Sequence, residues 1–244
     1  MKHIAAYCFL ILTLYWVAAF GIPQSSIVTG RVRLLTANGS ARTDKNTGIV
    51  VWLTPLSTPA ATASQARNNS GRATIIQKNK RFDKRVLAVQ VGATVDFPNK
   101  DPFFHNVFSH FDGQTFDLGL YEANATKSIQ FKQAGVCFLF CNIHSQMSAA
   151  IVVVDTPYFV SFDTPGEFRI PDVPPGRYQL NIWAERCAPE TLKRASRPVT
   201  VQTGPTVVEL IELRESRDRA VGHSNKYGKT YDTPVFSSPI YIQP

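Results

Sequence analysis

Short apolar runs separated by turn residues fill the middle of this chain and constrain its fold more than any other feature. Glycine, proline, asparagine and aspartate lie between the runs, and apolar residues do not recur with a convincing helical period. The pattern predicts an all-β fold, either a sandwich or a barrel. The expected strands are Ala73–Gln77, Val86–Val91, Thr94–Phe97, Phe104–Phe108, Lys127–Phe131, Val136–Cys141 and Ala149–Val154.

Further segments with a strand pattern flank this region on both sides. Two precede it, and the others follow it, separated by turns that contain proline and glycine. They are Ile27–Leu35, Gly48–Pro55, Tyr158–Phe162, Glu167–Ile170, Tyr178–Trp183 and Thr206–Leu213.

Three other stretches are polar. Residues 57–72 are rich in serine, threonine, alanine and asparagine, and predict a linker or long loop. The basic run Lys78–Arg85 predicts the solvated tip of a hairpin, and a docking surface for an acidic partner is the alternative. Residues 214–244 predict an extended or disordered tail.

The N-terminus has the pattern of a targeting segment. Lys2 and His3 precede an apolar run from Ile4 to Phe20, which ends among small residues such as Ala19 and Gly21. This pattern predicts a signal peptide over residues 1–20 and a periplasmic or secreted protein. The alternative is an uncleaved membrane anchor, because a run of this length is at the lower edge of what spans a bilayer.

Composition narrows the class of partner. Apolar residues make up 44% and charged residues 18% of the chain, so most of it is expected to fold. The formal net charge of +8 indicates an acidic partner or an anionic surface. No nucleic-acid-binding motif accompanies this charge, so we expect no nucleic-acid partner.

The cysteines point to a metal. Cys8 lies in the N-terminal segment, which leaves Cys137, Cys141 and Cys187 for the exported part. With an odd number, at least one cysteine is outside any intramolecular disulfide. A metal-bound thiolate would account for such a cysteine.

One short loop carries three metal-binding side chains. Cys141, His144 and Met147 supply a thiolate, an imidazole and a thioether, and such soft donors favour copper. His105, which has apolar neighbours on both sides, is the candidate for a fourth ligand. These four side chains are the His₂Cys plus Met set of a blue-copper electron-transfer site.

The segment from Ala73 to Val154 resembles the cupredoxins. Residues 91–99 resemble their strand-turn-strand before the first ligand, and 105–107 resemble the first-ligand segment. Residues 134–136, followed by Cys141, His144 and Met147, are similar to the last strand and ligand loop. The two-residue gaps on both sides of His144 match the short loops of amicyanins. The segment is also similar to a group of exported bacterial cupredoxin-like proteins that are labelled as methylamine-utilization or plastocyanin-like proteins.

The resemblance implies a Greek-key β-sandwich over residues 73–154 that holds one type 1 copper and transfers one electron. His105, Cys141 and His144 would bind copper in a plane, and Met147 would be the weak axial ligand. Asn106 would bond to backbone near the cysteine and hold the loop. Electrons would pass through a surface-exposed His144, with Phe103, Ile143 and Met147 as candidate patch residues.

Other metal sites fit the sequence less well. Cys137 suggests a binuclear purple copper site, but four strand residues rise about 13 Å, which is too far for two sulfurs to share a copper pair. Cys137 is therefore expected in the core, and a Cys137–Cys187 disulfide is left open. Multicopper oxidases and copper nitrite reductases need more histidines, and we expect His110 to be a non-ligand. Zinc is disfavoured because methionine is a poor donor for it.

The flanking strands resemble a second small β-sandwich, the carboxypeptidase regulatory-like domain, which is related to transthyretin-like folds. Gly30-Arg31-Val32 and residues 163–180, with their two proline-glycine turns, carry this resemblance. It implies a discontinuous domain of residues 26–56 plus 155–213, into which the cupredoxin is inserted. A single continuous β structure is the alternative.

The function predicted from these features is one-electron transfer between redox protein partners, some of them acidic, with no small-molecule substrate. A copper carrier or sensor, and a surface scaffold with a structural cupredoxin, are the alternatives. We do not expect an enzyme, because the predicted site has no open coordination position and no neighbouring acid-base pair.

Overall fold

A computed structural model of the chain describes residues 25–45, 47–57, 71–110, 113–216, 225–227 and 229–230. Within these ranges the protein is built from β-strands and one seven-residue helix. The predicted all-β fold class is confirmed. The predicted signal peptide, most of the predicted linker and most of the predicted tail lie outside the described residues. Within the ranges described, no helix is long and apolar enough to cross a membrane.

The strands are numbered in chain order, and the helix lies between β15 and β16. Their bounds are β1 Ser26–Leu35, β2 Ile49–Pro55, β3 Arg72–Thr74, β4 Gln77–Lys78, β5 Arg81–Phe82, β6 Val86–Gln90, β7 Thr94–Pro98, β8 His105–Ser109, β9 Phe116–Tyr121, β10 Thr126–Gln130, β11 Gly135–Phe140, β12 Ser148–Val154, β13 Phe159–Phe162, β14 Glu167–Val173, β15 Gly176–Ala184, α1 Pro189–Ala195, β16 Arg197–Val201, β17 Thr206–Val207 and β18 Ile211–Arg214.

The first sandwich packs a five-stranded sheet against a three-stranded one. The larger sheet has the order β6-β12-β11-β8-β9 and the smaller one the order β10-β7-β3. Phe97 of β7 and Phe131, which follows β10, share one buried core with Leu139 and Ile151 of the larger sheet. Strand β8 pairs antiparallel with β11 through Phe108 and Phe140, and this pairing places the start of β8 beside the residues that follow β11.

The second sandwich uses strands from both ends of the chain. Its sheets have the orders β14-β1-β17, with β18 also paired to β1, and β13-β2-β15-β16. Thus β1 and β2, which precede the first sandwich in sequence, pair with strands that follow it. The exact bounds predicted for the two units stay a prediction.

A third apolar cluster joins the two sandwiches. Strand β12 is buried on both faces, because Ile151 and Val153 point into the first core while Val152 and Val154 point into this junction. The opposite side of the junction includes Val50 and Trp183 of the second sandwich. Burial on both faces explains why β6 and β12 are almost continuously apolar in sequence.

One ion pair adds to the junction. The Arg85 guanidinium donates to both carboxylate oxygens of Glu185, at 2.7 and 2.8 Å. The Glu185 side chain is 7% exposed, so this bidentate pair closes the edge of the contact between the sandwiches.

Several elements differ from the sequence prediction. The predicted strands Ala73–Gln77 and Thr206–Leu213 are each split in two, and β5, β9, β16 and α1 were not predicted. Helix α1 has Pro189 at its start, Glu190 in its first turn and basic residues in its last turn, all favourable to a helix. The helix was not predicted because seven residues are too few to show a helical period of apolar residues, and none of its residues is buried.

Candidate metal centre

Two strand ends and one loop bring the predicted ligands together. His105 is the first residue of β8, and Cys141 directly follows β11. His144 and Met147 lie in the loop before β12. Two backbone hydrogen bonds close this loop, from Cys141 N–H to Met147 O at 3.4 Å and from Met147 N–H to His144 O at 3.0 Å. The tight turn returns His144 and Met147 towards the cysteine.

Three donor atoms form a compact cluster. The Cys141 Sγ lies 3.8 Å from Nδ1 of His105 and 3.6 Å from Nδ1 of His144. One ligand atom from each of the three side chains lies within 4.8 Å of the others. Cys141 and His105 are fully buried, and His144 is 8% exposed. The role of these side chains as ligands stays a prediction.

The spacing fits one metal ion. A nitrogen about 2.0–2.1 Å and a sulfur about 2.3 Å from the same ion, at the trigonal angle, lie about 3.8 Å from each other. The two observed sulfur–nitrogen distances agree with that value. The donors also suit copper, because thiolate and thioether ligands select it over hard cations.

Met147, the predicted axial ligand, belongs to the buried part of the ligand loop. Its side chain is fully buried in the same core cluster as Cys141. This burial contradicts the expectation that Met147 contributes to a surface patch. Phe103 and Ile143 are half-buried, and only a small part of the His144 ring reaches solvent.

The protonation states favour metal binding. Burial lowers the pKa of His144 to about 4, and the charges of His105 and Lys80 act in the same direction. Burial also lowers the pKa of His105, and Asp101 opposes this effect. Both imidazoles are therefore neutral at pH 7. Burial raises the pKa of the Cys141 thiol, so a metal ion that binds there must displace its proton.

The sequence analysis missed Asp101. Its carboxylate is 5% exposed and accepts a hydrogen bond from Nε2 of His105 at 2.8 Å. The carboxylate partner assigns the ring proton to Nε2 and leaves the lone pair on Nδ1, which faces Cys141. The only feature of the sequence that could have indicated Asp101 is its position four residues before His105. An aspartate at this position cannot be told from an ordinary turn residue.

Asp101 also holds the neighbouring hairpin. It accepts the backbone N–H groups of Asn79 at 2.6 Å and Lys80 at 2.9 Å. Both residues have positive φ angles, 55° and 54°, which suit the two-residue turn between β4 and β5. The basic run therefore includes a hairpin tip, and one carboxylate ties that tip to a predicted ligand.

Asn106 links the ligand loop to the chain's C-terminal segment. Its Oδ1 accepts the Asn142 N–H at 3.3 Å, and its Nδ2 donates to Asp117 at 2.7 Å. Asp117 in turn accepts from Lys226 Nζ at 2.8 Å, and the Lys226 N–H donates to the Asn142 side chain at 3.0 Å. Asn106, Asp117, Lys226 and Asn142 thus form a closed ring of hydrogen bonds. The sequence offered no signal for Lys226.

The remaining cysteines and His110 lie outside the cluster. Cys137 and Cys187 are buried in different cores, so the disulfide left open above does not form. Cys137 accepts a hydrogen bond from the Gln114 N–H at 3.1 Å. His110 is exposed and packs against Phe108.

A family model matches one part of the chain. It is described as polysaccharide lyase family 4, domain II, and it matches residues 145–208. These residues run from the ligand loop through the second-sandwich strands that follow it. The match is thus to a different family from the carboxypeptidase regulatory-like domain that the sequence resembled. No curated protein matches the chain in sequence.

Solved structures of copper proteins are similar to part of the chain. A copper-containing nitrite reductase from Thermus scotoductus SA-01 is 24% identical over 34% of this chain and 22% of its own, with a TM-score of 0.33. A purple cupredoxin from Nitrosopumilus maritimus is 22% identical over 34% of this chain and 99% of its own, with a TM-score of 0.31. A mutant amicyanin in its Cu(I) form is 21% identical over 43% of this chain and 98% of its own, with a TM-score of 0.32.

Proposed function

We propose that this protein binds one copper ion at His105, Cys141, His144 and Met147 and transfers single electrons between redox proteins. The observation that carries the proposal is the buried cluster in which both Nδ1 atoms face the Cys141 sulfur, at 3.8 and 3.6 Å. Copper would supply a one-electron couple at this position.

The chain's own residues provide what rapid electron transfer needs. Asp101 orients His105, and the Asn106 hydrogen bond holds the start of the loop. His105 begins β8 and Cys141 directly follows the neighbouring strand β11, so the donor atoms are placed before a metal ion arrives. Because a placed site need not rearrange when its charge changes, little reorganisation accompanies the transfer.

The proposal extends to location and partners. The N-terminal pattern supports export, so the partners would be redox proteins of the periplasm or the exterior. No proton transfer or bond cleavage is required of the site, and a non-enzymatic carrier is proposed on that basis.

A visible spectrum tests the proposal. Cu(II) is added to the full chain in its reduced, metal-free form, and the same titration is made with Cys141→Ser. The proposal expects one equivalent of copper, an intense blue band that the variant lacks, and reversible bleaching by one electron. Binding of Cu(I) without a stable blue Cu(II) form would favour a carrier, and no binding would contradict the copper site.

A further inference from the structure

Four exposed cations lie together beside the metal centre. Lys78, Lys80 and Arg81 belong to the β4–β5 hairpin. Lys100 is held next to them, because its backbone N–H donates to Gln77 O at 2.8 Å. Among the described residues, none of these four side chains forms an ion pair. We call Lys78, Lys80, Arg81 and Lys100 the basic rim.

Several other cations in the described residues form ion pairs, whereas the four of the basic rim do not. Arg31, Arg72, Arg85 and Lys226 each contact a carboxylate at 2.8 Å or less. Like charges that are grouped without ion-pair partners repel one another, and this arrangement becomes favourable when an acidic surface lies opposite. The basic rim therefore has the charge of a surface that meets an acidic partner.

Aromatic rings connect the basic rim with the metal centre. The Lys80 ammonium lies 5.4 Å from the centre of the Phe103 ring. That ring lies 5.3 Å from the His105 ring and 5.5 Å from the His144 ring. The next residue, Phe104, is 55% exposed and offers an apolar contact at the same edge. A partner seated here would be close to both imidazoles.

The hairpin is held in place for such a contact. Asp101 binds the backbone at Asn79 and Lys80 and also the ring of His105, so the hairpin tip cannot move freely relative to the centre. A surface that is already ordered loses little conformational entropy when a partner binds.

From these observations we propose that the basic rim, together with Phe103 and Phe104, is the docking surface for an acidic one-electron redox protein. This proposal rests on the proposed electron-transfer function. In the step itself, one electron leaves the reduced partner, which becomes oxidised by one unit, and the metal centre gains that electron. No covalent bond changes and no proton moves.

Transfer kinetics with an acidic donor test the docking surface. The copper-loaded full chain is mixed with a reduced acidic c-type cytochrome, and the second-order rate constant is measured from about 10 to 300 mM ionic strength. We expect the rate to fall steeply with salt. At low salt, Lys78→Glu, Lys80→Glu and Lys100→Glu should each lower it about tenfold, because each reverses a steering charge.

Matched variants separate steering from damage to the centre. Lys193→Glu reverses an exposed charge on α1, in the second sandwich, and should change the rate less than twofold. Lys80→Glu removes a contact with Phe103 as well as a charge. If Lys78→Glu and Lys100→Glu lower the rate as much as Lys80→Glu does, the lower rate is due to charge. Rates that respond equally to Lys193→Glu and to the rim variants would overturn the proposal.

A copper-free measurement distinguishes the two proposals. Binding of the metal-free chain to the immobilised acidic cytochrome should weaken in the rim variants and not in Lys193→Glu, whether or not the chain binds copper. If the blue band forms but the rim variants bind the cytochrome as the wild type does, the docking surface is wrong and the electron-transfer function stands. Rim-dependent sedimentation with phosphatidylglycerol vesicles, without rim-dependent cytochrome binding, would also overturn it.

Discussion

Replacing Asp101 by asparagine should weaken copper binding without removing any predicted ligand. The carboxylate accepts three hydrogen bonds, from Asn79 N–H, Lys80 N–H and His105 Nε2–H, at 2.6, 2.9 and 2.8 Å. An amide has one acceptor oxygen, and its nitrogen can only donate. No rotamer of the amide can therefore reproduce the three contacts.

Both orientations of the amide carry a cost. If its nitrogen takes the place of Oδ1, the Asn79 N–H loses its acceptor, at about 1–3 kcal/mol of folding stability, and Nε2 of His105 keeps only a neutral amide oxygen in place of the carboxylate. If its nitrogen takes the place of Oδ2, the Lys80 N–H loses its acceptor and Nε2 of His105 must accept, so the ring proton moves to Nδ1, the atom that faces Cys141. Loss of such a carboxylate partner lowers metal affinity about 10–100-fold, or about 1.4–2.7 kcal/mol.

The assay is a competition titration of copper against a chelator, together with a redox titration. Asp101→Asn should bind copper about 10–100-fold more weakly. Its reduction potential should rise, because loss of a negative charge disfavours the more positive oxidised state. Asp155→Asn removes an exposed carboxylate elsewhere and serves as the control. An affinity within about twofold of wild type would refute the assigned role of Asp101.

Three further predictions concern the surrounding structure. Asp96 accepts from Arg72 at 2.6 and 2.7 Å, and this contact, followed by that of Ser128, lowers the pKa of Asp96. Because this pKa is lower in the folded than in the unfolded protein, the charged carboxylate stabilises the fold above the unfolded pKa, and this stabilisation is lost as the pH falls through the folded pKa. Asp96→Asn should therefore lower the free energy of unfolding by about 1 kcal/mol at pH 7 and leave it unchanged in strong acid, as measured by urea unfolding. Equal losses at both pH values would contradict this. Lys226→Met should speed amide exchange at residue 226 about two- to fivefold, since a half-buried ion pair contributes about 0.5–1 kcal/mol, whereas the exposed Lys229→Met should not. Gly48→Ala and Gly92→Ala both place alanine at positive φ, but only the Gly48 Cβ would meet Val86, at 2.2 Å, so Gly48→Ala should be the more destabilising by at least about 1 kcal/mol. Equal costs would argue against close packing of the two sandwiches there.

The parts of the centre that could be predicted are those encoded locally. Cys141, His144 and Met147 share one loop, and their spacing alone indicates a soft-metal site. His105 could be added because a histidine between apolar residues is conspicuous once a partner loop is known. The continuous apolar runs at β6 and β12 also predicted strands correctly, because such strands are buried on both faces.

The parts that could not be predicted depend on long-range contacts. Asp101 has the local sequence of a turn, and its function arises only because the β4–β5 hairpin folds back onto it. Lys226 meets Asn142 across 84 positions of sequence, a distance over which no periodicity gives information. Strand β9 was not predicted because its polar and glycine residues interrupt the alternation of apolar and polar residues. It forms a strand because it pairs with β8.

The most direct test of the central claim is a crystal structure of the copper-loaded full chain, measured at the copper absorption edge. We expect one anomalous peak inside the cluster, about 2.0–2.3 Å from Cys141 Sγ and from Nδ1 of both His105 and His144, with the Met147 sulfur facing it. His105 Nε2 should keep its hydrogen bond to Asp101. A peak elsewhere, two peaks that share Cys137 and Cys141, or coordination through Nε2 of His105 would contradict the proposed copper site.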